Sequence, residues 1–333
     1  MRNLQRFTDV VPPGAGLQSL VDLVGEDVVD LDDLDDLVGG DDDPELGGSA
    51  DFVQGPEIPR IRPILVALAA RASGSDCADG DLQRTMELLH GALVVHDLAI
   101  GREGGRRRRV ARRIVKRSVS WLGGNHLTLR AIEIAQATRP EVLGDLLGTL
   151  REFADGQALT QELQQGRIPT YEDWLEHADT HTGALFALCC RVGAVGKNRA
   201  VAEALARYGR HLGRVWHIAE DVSILAHPDG ESVLLARALA GRPQLPVVEA
   251  AARAPEVGRL WSQLVEHPSE ATASWLVDMV QDAGGLTGAR ERMLSESWMA
   301  RQALSKVPES RYRSAMEKLV TSLAVAGIRP PAR

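Results

Sequence analysis

The chain has 333 residues, of which 44% are hydrophobic and 25% charged, so it is long and apolar enough to bury a sizeable core, and full-length disorder is excluded. No apolar run approaches the roughly 20 residues that a membrane-spanning helix needs. Three cysteines without a CxxC pair argue against a disulfide framework or a zinc finger, and they predict a reducing, cytoplasmic location.

The formal net charge of -8 is unevenly distributed along the chain. Residues 1–55 carry 14 acidic residues against two arginines, a net charge of -12, whereas the remainder carries 32 acidic and 36 basic residues, a net charge of +4. Acidic blocks of this density repel themselves and stay solvated, so residues 1–55 are predicted to be an acidic, flexible tail. Residues 56–333 would form the folded domain, and its small positive charge does not predict a nucleic-acid partner.

The acidic segment also contains apolar residues that could form one short helix. A helix of this kind could dock on the surface of a partner protein, and the alternative is a tail that only keeps the chain in solution. The apolar residues in question are Leu20, Val21, Leu23, Val24, Val28 and Val29.

Beyond the acidic segment, apolar residues recur at spacings of three and four, the pattern of amphipathic helices. Glycine and proline clusters separate these stretches, and period-two runs typical of strands are absent. The pattern predicts about ten helices in one all-α body. The clearest predicted helices are Ile64–Ala72, Leu82–Leu98, Asn125–Ala137, Trp174–Gly193 and Ala200–Leu225.

One of these helices ends in a carboxylate that is followed by a basic loop. His90 and Asp97 lie two turns apart and share a face, so Asp97 points either into a cleft or, as a simple helix-end residue, into solvent. The glycine-rich stretch Gly101–Gly105 and the four arginines Arg106–Arg109 follow directly. Clustered guanidinium groups on a flexible loop can bind a phosphate bidentately, and the alternative is a solvated basic patch.

A second helix carries two carboxylates beside a histidine. Gly209 and Gly213 are four residues apart and permit another helix to approach closely. His217, Glu220 and Asp221 share one face, at positions i, i+3 and i+4. Adjacent carboxylates can bind Mg²⁺, which shares its coordination shell with water and substrate phosphate, and the alternative is a structural acid pair.

Eight short motifs, in their order and at their intervals, make the chain resemble the trans-polyprenyl diphosphate synthases, the polyprenyl synthetase family of the isoprenoid synthase fold. The resemblance covers residues 56 to 265 well and the C-terminal helices loosely. The matching stretches are Pro59–Pro63 for G-K-R-x-R-P, Glu87–Asp97 for E-L-I-H-x-x-x-L-x-H-D, Gly124–Leu127 for G-D-x-L, Gly156–Leu159 for G-Q/E-x-L, His181–Phe186 for K-T-x-x-L-F, Tyr208–Asp221 for Y-G-x-x-L-G and F-Q-I-x-D-D, and Gly241–Pro246 for G-K-x-T-L-P.

The resemblance implies an isoprenoid-synthase-type helical bundle around a central cavity, in which two facing DDxxD motifs hold Mg²⁺ and the Mg²⁺ holds a prenyl diphosphate. Here the first motif keeps one carboxylate, Asp97, and the second keeps Glu220 and Asp221, so the implied Mg²⁺ site is weakened. Asp97 is expected to face the other two across the cavity mouth. The run Asp32–Asp36 also reads DDxxD, but it lies in the acidic tail and is assigned to that tail.

Other family positions have also changed. The family lysine before R-x-R-P is Pro59, the K-T lysine is His181 and the F-Q-I glutamine is His217. The residues that the resemblance assigns to diphosphate binding are Arg60, Arg62, Arg106, Arg107, His181 and His217. It assigns Ala92 and Leu93 to the chain pocket, where the absence of an aromatic stop predicts chains of C15 or longer.

Three functions follow from this pattern. The first is an atypical prenyltransferase or terpene synthase of isoprenoid biosynthesis, in which arginines take over part of the metal's charge. The second is a catalytically silent subunit that pairs with an active prenyl diphosphate synthase and modulates it. The third is a degenerate fold kept for an unrelated interaction. The family forms dimers, so either a homodimer or a heterodimer with an intact synthase is expected. Ordinary Mg²⁺-dependent elongation is not expected, because each ~1.4 kcal/mol of lost transition-state stabilisation slows a reaction tenfold.

Overall fold

A computed structural model describes residues 23, 24, 27, 28, 61–76, 78–100, 117–225 and 230–328. These residues contain α-helices and no strand, which confirms the all-α prediction. No helix among them has an apolar stretch long enough to cross a membrane. The helices are α1 (Ile61–Ala72), α2 (Gly80–Ile100), α3 (Arg117–Thr138), α4 (Leu143–Leu163), α5 (Tyr171–Ala178), α6 (Ala184–Gly193), α7 (Arg199–Leu225), α8 (Gly230–Leu239), α9 (Leu245–Arg253), α10 (Pro255–Glu266), α11 (Glu270–Asp282), α12 (Gly285–Ala303) and α13 (Arg311–Ile328).

The described part of the chain contains thirteen α-helices rather than about ten. The C-terminal third is divided more finely than its periodicity indicates, because Pro255 opens α10 directly after α9 and Ser269 caps the start of α11. The predicted helix Trp174–Gly193 is also divided. A π-helical turn, Asp179–Gly183, separates α5 from α6 and shifts the helical register between them.

Helix α7 lies at the centre of the bundle, where it packs against α6, α12 and α13. Helix α1 packs on α6, and α2 packs along α3. The Tyr208 side chain of α7 is fully buried, and its hydroxyl donates a hydrogen bond of 2.8 Å to the backbone oxygen of Met316 in α13. A second apolar cluster around Trp261 joins α8, α9, α10 and α11, so the C-terminal helices extend the core beside α7.

Four residues of the acidic segment pack on this body. Val24 is only 1% exposed and belongs to the main core, with Leu23 and Val28 packed against it. The Asp27 carboxylate pairs with Arg71 at 2.9 Å, and its backbone oxygen accepts a hydrogen bond of 2.6 Å from Gln83 Nε2. This stretch therefore contacts its own chain. The rest of residues 1–55 lies outside the described residues, so the predicted boundary at residue 55 stays a prediction.

Close contact between α6 and α7 depends on glycine, as the spacing of Gly209 and Gly213 predicts. A Cβ atom added at Gly209 would lie 2.3 Å from the Phe186 backbone oxygen, and one added at Gly213 would lie 2.7 Å from the Gly183 Cα atom. These neighbours are backbone atoms of packed helices, so they cannot move aside as a flexible side chain would.

We predict that Gly209→Ala lowers the free energy of unfolding by about 1–3 kcal/mol, because the added methyl group overpacks the α6–α7 contact. Gly148→Ala on α4 is the control, since nothing lies within 4 Å of its added Cβ. The control should be stabilising by about 0.5–1 kcal/mol, because alanine favours a helix over glycine. Urea denaturation measures both changes, and equal effects at the two positions would contradict the packing account.

Candidate functional site

The candidate site is centred on the second acidic pair, near the end of α7. Asp221 is completely buried, and both of its oxygens are occupied by protein groups. Oδ2 accepts hydrogen bonds from Trp174 Nε1 at 2.9 Å and from the Leu245 backbone N–H at 3.0 Å. Oδ1 accepts one from Arg237 Nη1 at 3.5 Å. Arg237 also pairs with Glu220 through Nη2, so one guanidinium group bridges both carboxylates.

The partners of Asp221 come from three helices: Trp174 from α5, Leu245 from α9 and Arg237 from α8. Trp174 lies in the first turn of α5, whose start is fixed by a capping box between Thr170 and Asp173. Leu245 is the first residue of α9, where backbone N–H groups lack helical partners and a carboxylate is favoured. The turn before it needs glycine, because Gly241 has a φ of +68° and an added Cβ would lie 2.3 Å from a backbone oxygen of α4.

Three histidines form a second part of the site, which we call the histidine cluster: His177, His181 and His217. The ring centres of His177 and His181 are 4.0 Å apart, and those of His177 and His217 are 5.3 Å apart. His217 Nδ1 lies 3.2 Å from the Thr182 hydroxyl, and the Trp174 ring stands 6.0 Å from the His217 ring. The cluster therefore lies directly beside the acidic pair.

The π-helical turn brings His181 and Thr182 to this position. Arg214 of α7 holds the turn through two hydrogen bonds of 2.7 Å, from Nε and Nη2 to the two carboxylate oxygens of Asp179. Gly183 of the same turn packs closely on α7, as described above. Single π-helical turns interrupt α-helices at many functional sites, and this one aligns the predicted diphosphate-binding residue His181 with His217.

Burial keeps two members of the histidine cluster, His177 and His217, neutral. It lowers the pKa of His217 to about 3, and the positive charge of Arg237 lowers this pKa further, against the opposing charge of Glu220. Burial also holds the pKa of His177 well below its ordinary value, and the neighbouring His181 and His217 act in the same direction. The imidazoles of His177 and His217 are therefore uncharged near pH 7.

The Asp221 carboxylate has the opposite shift. Burial raises its pKa to about 6, although Arg237, the Leu245 N–H and the Trp174 indole each favour the ionised form. Near pH 7 the carboxylate is ionised and neutralised by protein groups.

Among the predicted arginines, the structure describes the side chain of Arg62. Its Nε donates a hydrogen bond of 2.7 Å to Glu87 Oε1 and its Nη2 one of 3.4 Å to Glu87 Oε2, in a buried pair between α1 and α2. The guanidinium group is therefore already bound to a carboxylate within the protein. Arg60, Arg106 and Arg107 lie outside the described residues.

The other predicted site residues lie on α2. Ala92 and Leu93 are buried, and Leu93 belongs to the main core. Asp97 lies in the last turns of α2, but its side chain is outside the described part, so its predicted position opposite Glu220 and Asp221 stays a prediction.

Sequence reasoning brought Glu220, Asp221, His217 and His181 into one site, and the structure places these four residues together. It missed three others: Trp174, His177 and Arg237. Trp174 and His177 lie on the same predicted helix as His181, at spacings of seven and four, which is the signal that could have found them. Nothing local marks Arg237, because its partners lie 16 and 17 residues away.

Residues 51–234, more than half of the chain, match the family model described as polyprenyl synthetase. The chain belongs to the polyprenyl synthetase family. It is 27% identical to "Solanesyl-diphosphate synthase 2, chloroplastic" of Oryza sativa subsp. japonica, over 95% of this chain and 81% of the relative. It is 31% identical to a "(2E,6E)-farnesyl diphosphate synthase" of Mycobacterium bovis, over 64% of this chain and 63% of that protein.

Solved structures support the isoprenoid synthase fold of this polyprenyl synthetase family member. A polyprenyl synthase from Caulobacter crescentus CB15, complexed with calcium and isoprenyl diphosphate, superposes with a TM-score of 0.78. That match covers 94% of this chain and 98% of the Caulobacter chain at 24% identity, so it establishes the fold alone. The predicted helical-bundle fold is confirmed.

The family generally depends on Mg²⁺, but the second acidic pair of this member does not fit that ion. Mg²⁺ needs accessible oxygen ligands, whereas Asp221 is buried with both oxygens engaged and Glu220 is paired with Arg237. Ile224 stands where the family motif has its third carboxylate, and this apolar side chain is buried. Within the described ranges, no group of three or more His, Cys, Asp or Glu residues is arranged to hold a metal ion.

We predict that stability falls as the pH is lowered from about 6.5 towards 4. The folded protein keeps His177 and His217 unprotonated in this window, whereas unfolded imidazoles bind protons near pH 6.5, so acid favours the unfolded state. Asp221 opposes this below pH 6, because its raised pKa makes the folded state take up one proton. Burial also lowers the pKa of His96, which adds to the histidine side, so unfolding takes up protons on balance and each net proton contributes about 1.4 kcal/mol per pH unit.

His217→Gln removes one of these histidine protons, so the slope between pH 4 and 6 should fall by about 1.4 kcal/mol per pH unit. His267→Gln, which changes an exposed histidine at the end of α10, is the matched control and should leave the slope unchanged. Urea denaturation at a series of pH values gives the slopes. Wild-type stability that stays constant or rises on acidification through this window would contradict the account.

Proposed function

We propose that this protein works in isoprenoid biosynthesis as a prenyl-diphosphate-binding subunit that is silent in Mg²⁺-dependent elongation and modulates an active synthase. One observation carries the silent assignment: Asp221 is fully buried, with Trp174, Leu245 and Arg237 occupying its oxygens. A carboxylate bound in this way supports the helix packing and is not available as a metal ligand. Of the two functions that the motif pattern favours, this geometry supports the silent subunit better.

Family membership supports the biosynthetic role and the ligand. The relatives' names describe synthases of solanesyl and farnesyl diphosphates, and the Caulobacter protein was crystallised with isoprenyl diphosphate. We assign the same class of ligand, with a chain of C15 or longer, to this protein. We propose His181 and His217 as contacts of its diphosphate, together with Arg60, Arg106 and Arg107, and we place Ala92 and Leu93 along its chain pocket.

Without a metal ion, a protein of this family can bind a prenyl diphosphate and still fail to catalyse its ionisation. A bound metal ion stabilises the charge that develops on a departing phosphoryl oxygen by several kcal/mol, and each ~1.4 kcal/mol is worth a factor of ten in rate. The neutral imidazole of His217 can still donate a hydrogen bond to a diphosphate, but it supplies no full positive charge. The expected result is a protein that binds the ligand and does not ionise it at a useful rate.

A protein that binds the ligand without reacting it can act by forming a dimer with an active synthase chain. Two subunits of one fold associate through equivalent surfaces, so an inactive chain can replace one subunit of a dimer without a new interface. Within such a pair, it would change the stability or the product length of the active subunit. We place both chains in the cytoplasm.

A second candidate function, an arginine-assisted prenyltransferase or terpene synthase, would bind the same ligand, and one observation supports that binding. Three buried polar side chains in or beside the site carry atoms without a hydrogen-bond partner in the described part of the structure: His177 Nδ1, His217 Nε2 and the amide of Gln244. Buried polar atoms are normally hydrogen-bonded, so this set is suited to receive the polar groups of a ligand. It supports ligand binding in either function.

The two functions predict different results when the purified protein is incubated with C10, C15 or C20 prenyl diphosphate, a C5 isoprenyl diphosphate and Mg²⁺. We predict that calorimetry detects binding of the C15 and C20 ligands at least as tight as that of C10, because added buried CH₂ groups contribute ~0.8 kcal/mol each. Mass spectrometry should find no elongated or cyclised product from this protein alone.

Addition of the intact prenyl synthase of the same organism, with both DDxxD motifs, is predicted to give a stable heterodimer. The heterodimer's product length or yield should differ from that of the intact synthase by itself. Product formed by this chain alone would favour the prenyltransferase or terpene synthase. Absence of both ligand binding and association would contradict the proposal in either form.

A further inference from the structure

Arg237 occupies the charge position that the family leaves to a metal ion. Its Nη1 lies 3.5 Å from Asp221 Oδ1 and its Nη2 pairs with Glu220 Oε1, so the guanidinium group lies between the two carboxylates of the second motif. The three side chains are largely buried, where an ion pair is screened weakly. Arg237 belongs to α8, which follows α7 and brings the cation back to the end of the acidic helix.

A guanidinium group and a divalent cation compete for the same oxygens. Both neutralise a pair of carboxylates, but the arginine is covalently attached to α8 and held there by packing, so it is always present at the site. Displacing it would leave a buried cation without its partners, which costs several kcal/mol. Mg²⁺ also gives up its hydration water reluctantly, so it would not displace Arg237 from a pair whose second member, Asp221, is already fully bonded.

We infer that Arg237 is the permanent counter-ion of Glu220 and Asp221, so the second acidic motif does not bind divalent cations. Diphosphate binding by this protein is then independent of a metal ion. The inference deepens the proposed function and rests on it for the identity of the site. It adds a residue-specific cause: Trp174 and Leu245 engage only Oδ2 of Asp221, and an arginine from the next helix engages Oδ1 and Glu220, the oxygens that a metal ion would need.

The test measures Mn²⁺, a paramagnetic substitute for Mg²⁺, by electron paramagnetic resonance of the full-length protein at pH 8. Because the 14 acidic residues of segment 1–55 also attract divalent cations, the informative quantity is the Mn²⁺ bound in a Glu220-dependent way. The wild type and Glu220→Gln should therefore bind the same amount of Mn²⁺. Arg237→Gln should gain one Mn²⁺ site at this pair of carboxylates, with an affinity at least about tenfold higher than any Mn²⁺ affinity of the pair in the wild type. The double variant Arg237→Gln with Glu220→Gln should lose this site.

Two controls separate this effect from a general change in charge. Arg237→Lys keeps a cation at the site and should gain no Mn²⁺ site. Arg259→Gln removes an arginine that pairs with Glu256 on the exposed surface of α10, so it should also gain none. Circular dichroism establishes that each variant is folded.

Mn²⁺ binding by the wild type that Glu220→Gln abolishes would overturn the inference, and this comparison does not require that any Arg237 variant folds. A folded Arg237→Gln variant without a new Mn²⁺ site would also overturn it. No prenyl diphosphate and no second protein enter the measurement, so failure of this inference is distinguishable from failure of the proposed function.

Discussion

The hydrogen bonds that enclose the Asp221 carboxylate organise this end of the bundle. A carboxylate without contact to water must have its oxygens satisfied, and here the indole of α5, the first N–H of α9 and the guanidinium group of α8 satisfy them. A single side chain of α7 thus joins four helices. Removing it would leave three donors without an acceptor, so its role in the packing is sufficient to retain it whether or not a metal is used.

The same arrangement explains why an acidic motif can persist while its chemistry is lost. Arg237 balances the charge of Glu220 and Asp221, and the neutral imidazole of His217 stands where the family resemblance places glutamine. Burial and the bound guanidinium group make the oxygens that would hold Mg²⁺ inaccessible, and the His217 imidazole adds no positive charge in place of the metal. The match to the polyprenyl synthetase family is the basis of the proposed ligand.

The helices, their order and most of their breaks are predictable from the sequence, because amphipathic periodicity and glycine or proline breaks are local signals. The π-helical turn at Asp179–Gly183 is not predictable, since it depends on the hydrogen bonds from Arg214 and on the close approach of Gly213 across the α6–α7 contact. For the acidic segment, the pattern of Leu and Val left two alternatives: a short helix that docks on a partner protein, or a tail that only keeps the chain in solution. The described residues Leu23 and Val24 contact the body of their own chain, which the local pattern does not predict.

The carboxylates and the histidine of the candidate site could be predicted from the sequence, but whether the carboxylates are open to a metal ion could not. Spacing put Glu220 and Asp221 on one face with His217, which is all that a sequence shows about a pair of carboxylates. Whether such a pair is open to a metal depends on its burial and on distant partners, here Trp174 and Arg237, which no local pattern connects to it. Whether the carboxylates of a buried site are paired or free therefore depends on the tertiary structure.

The most direct test of this account is a crystal structure of the protein grown with Ca²⁺ and isoprenyl diphosphate, the ligands present in the Caulobacter relative. The account predicts that Arg237 remains between Glu220 and Asp221, that Asp221 keeps its bonds to Trp174 and Leu245, and that no anomalous calcium peak lies at the pair. A calcium ion coordinated by Glu220 and Asp221, with the Arg237 side chain displaced, would contradict it.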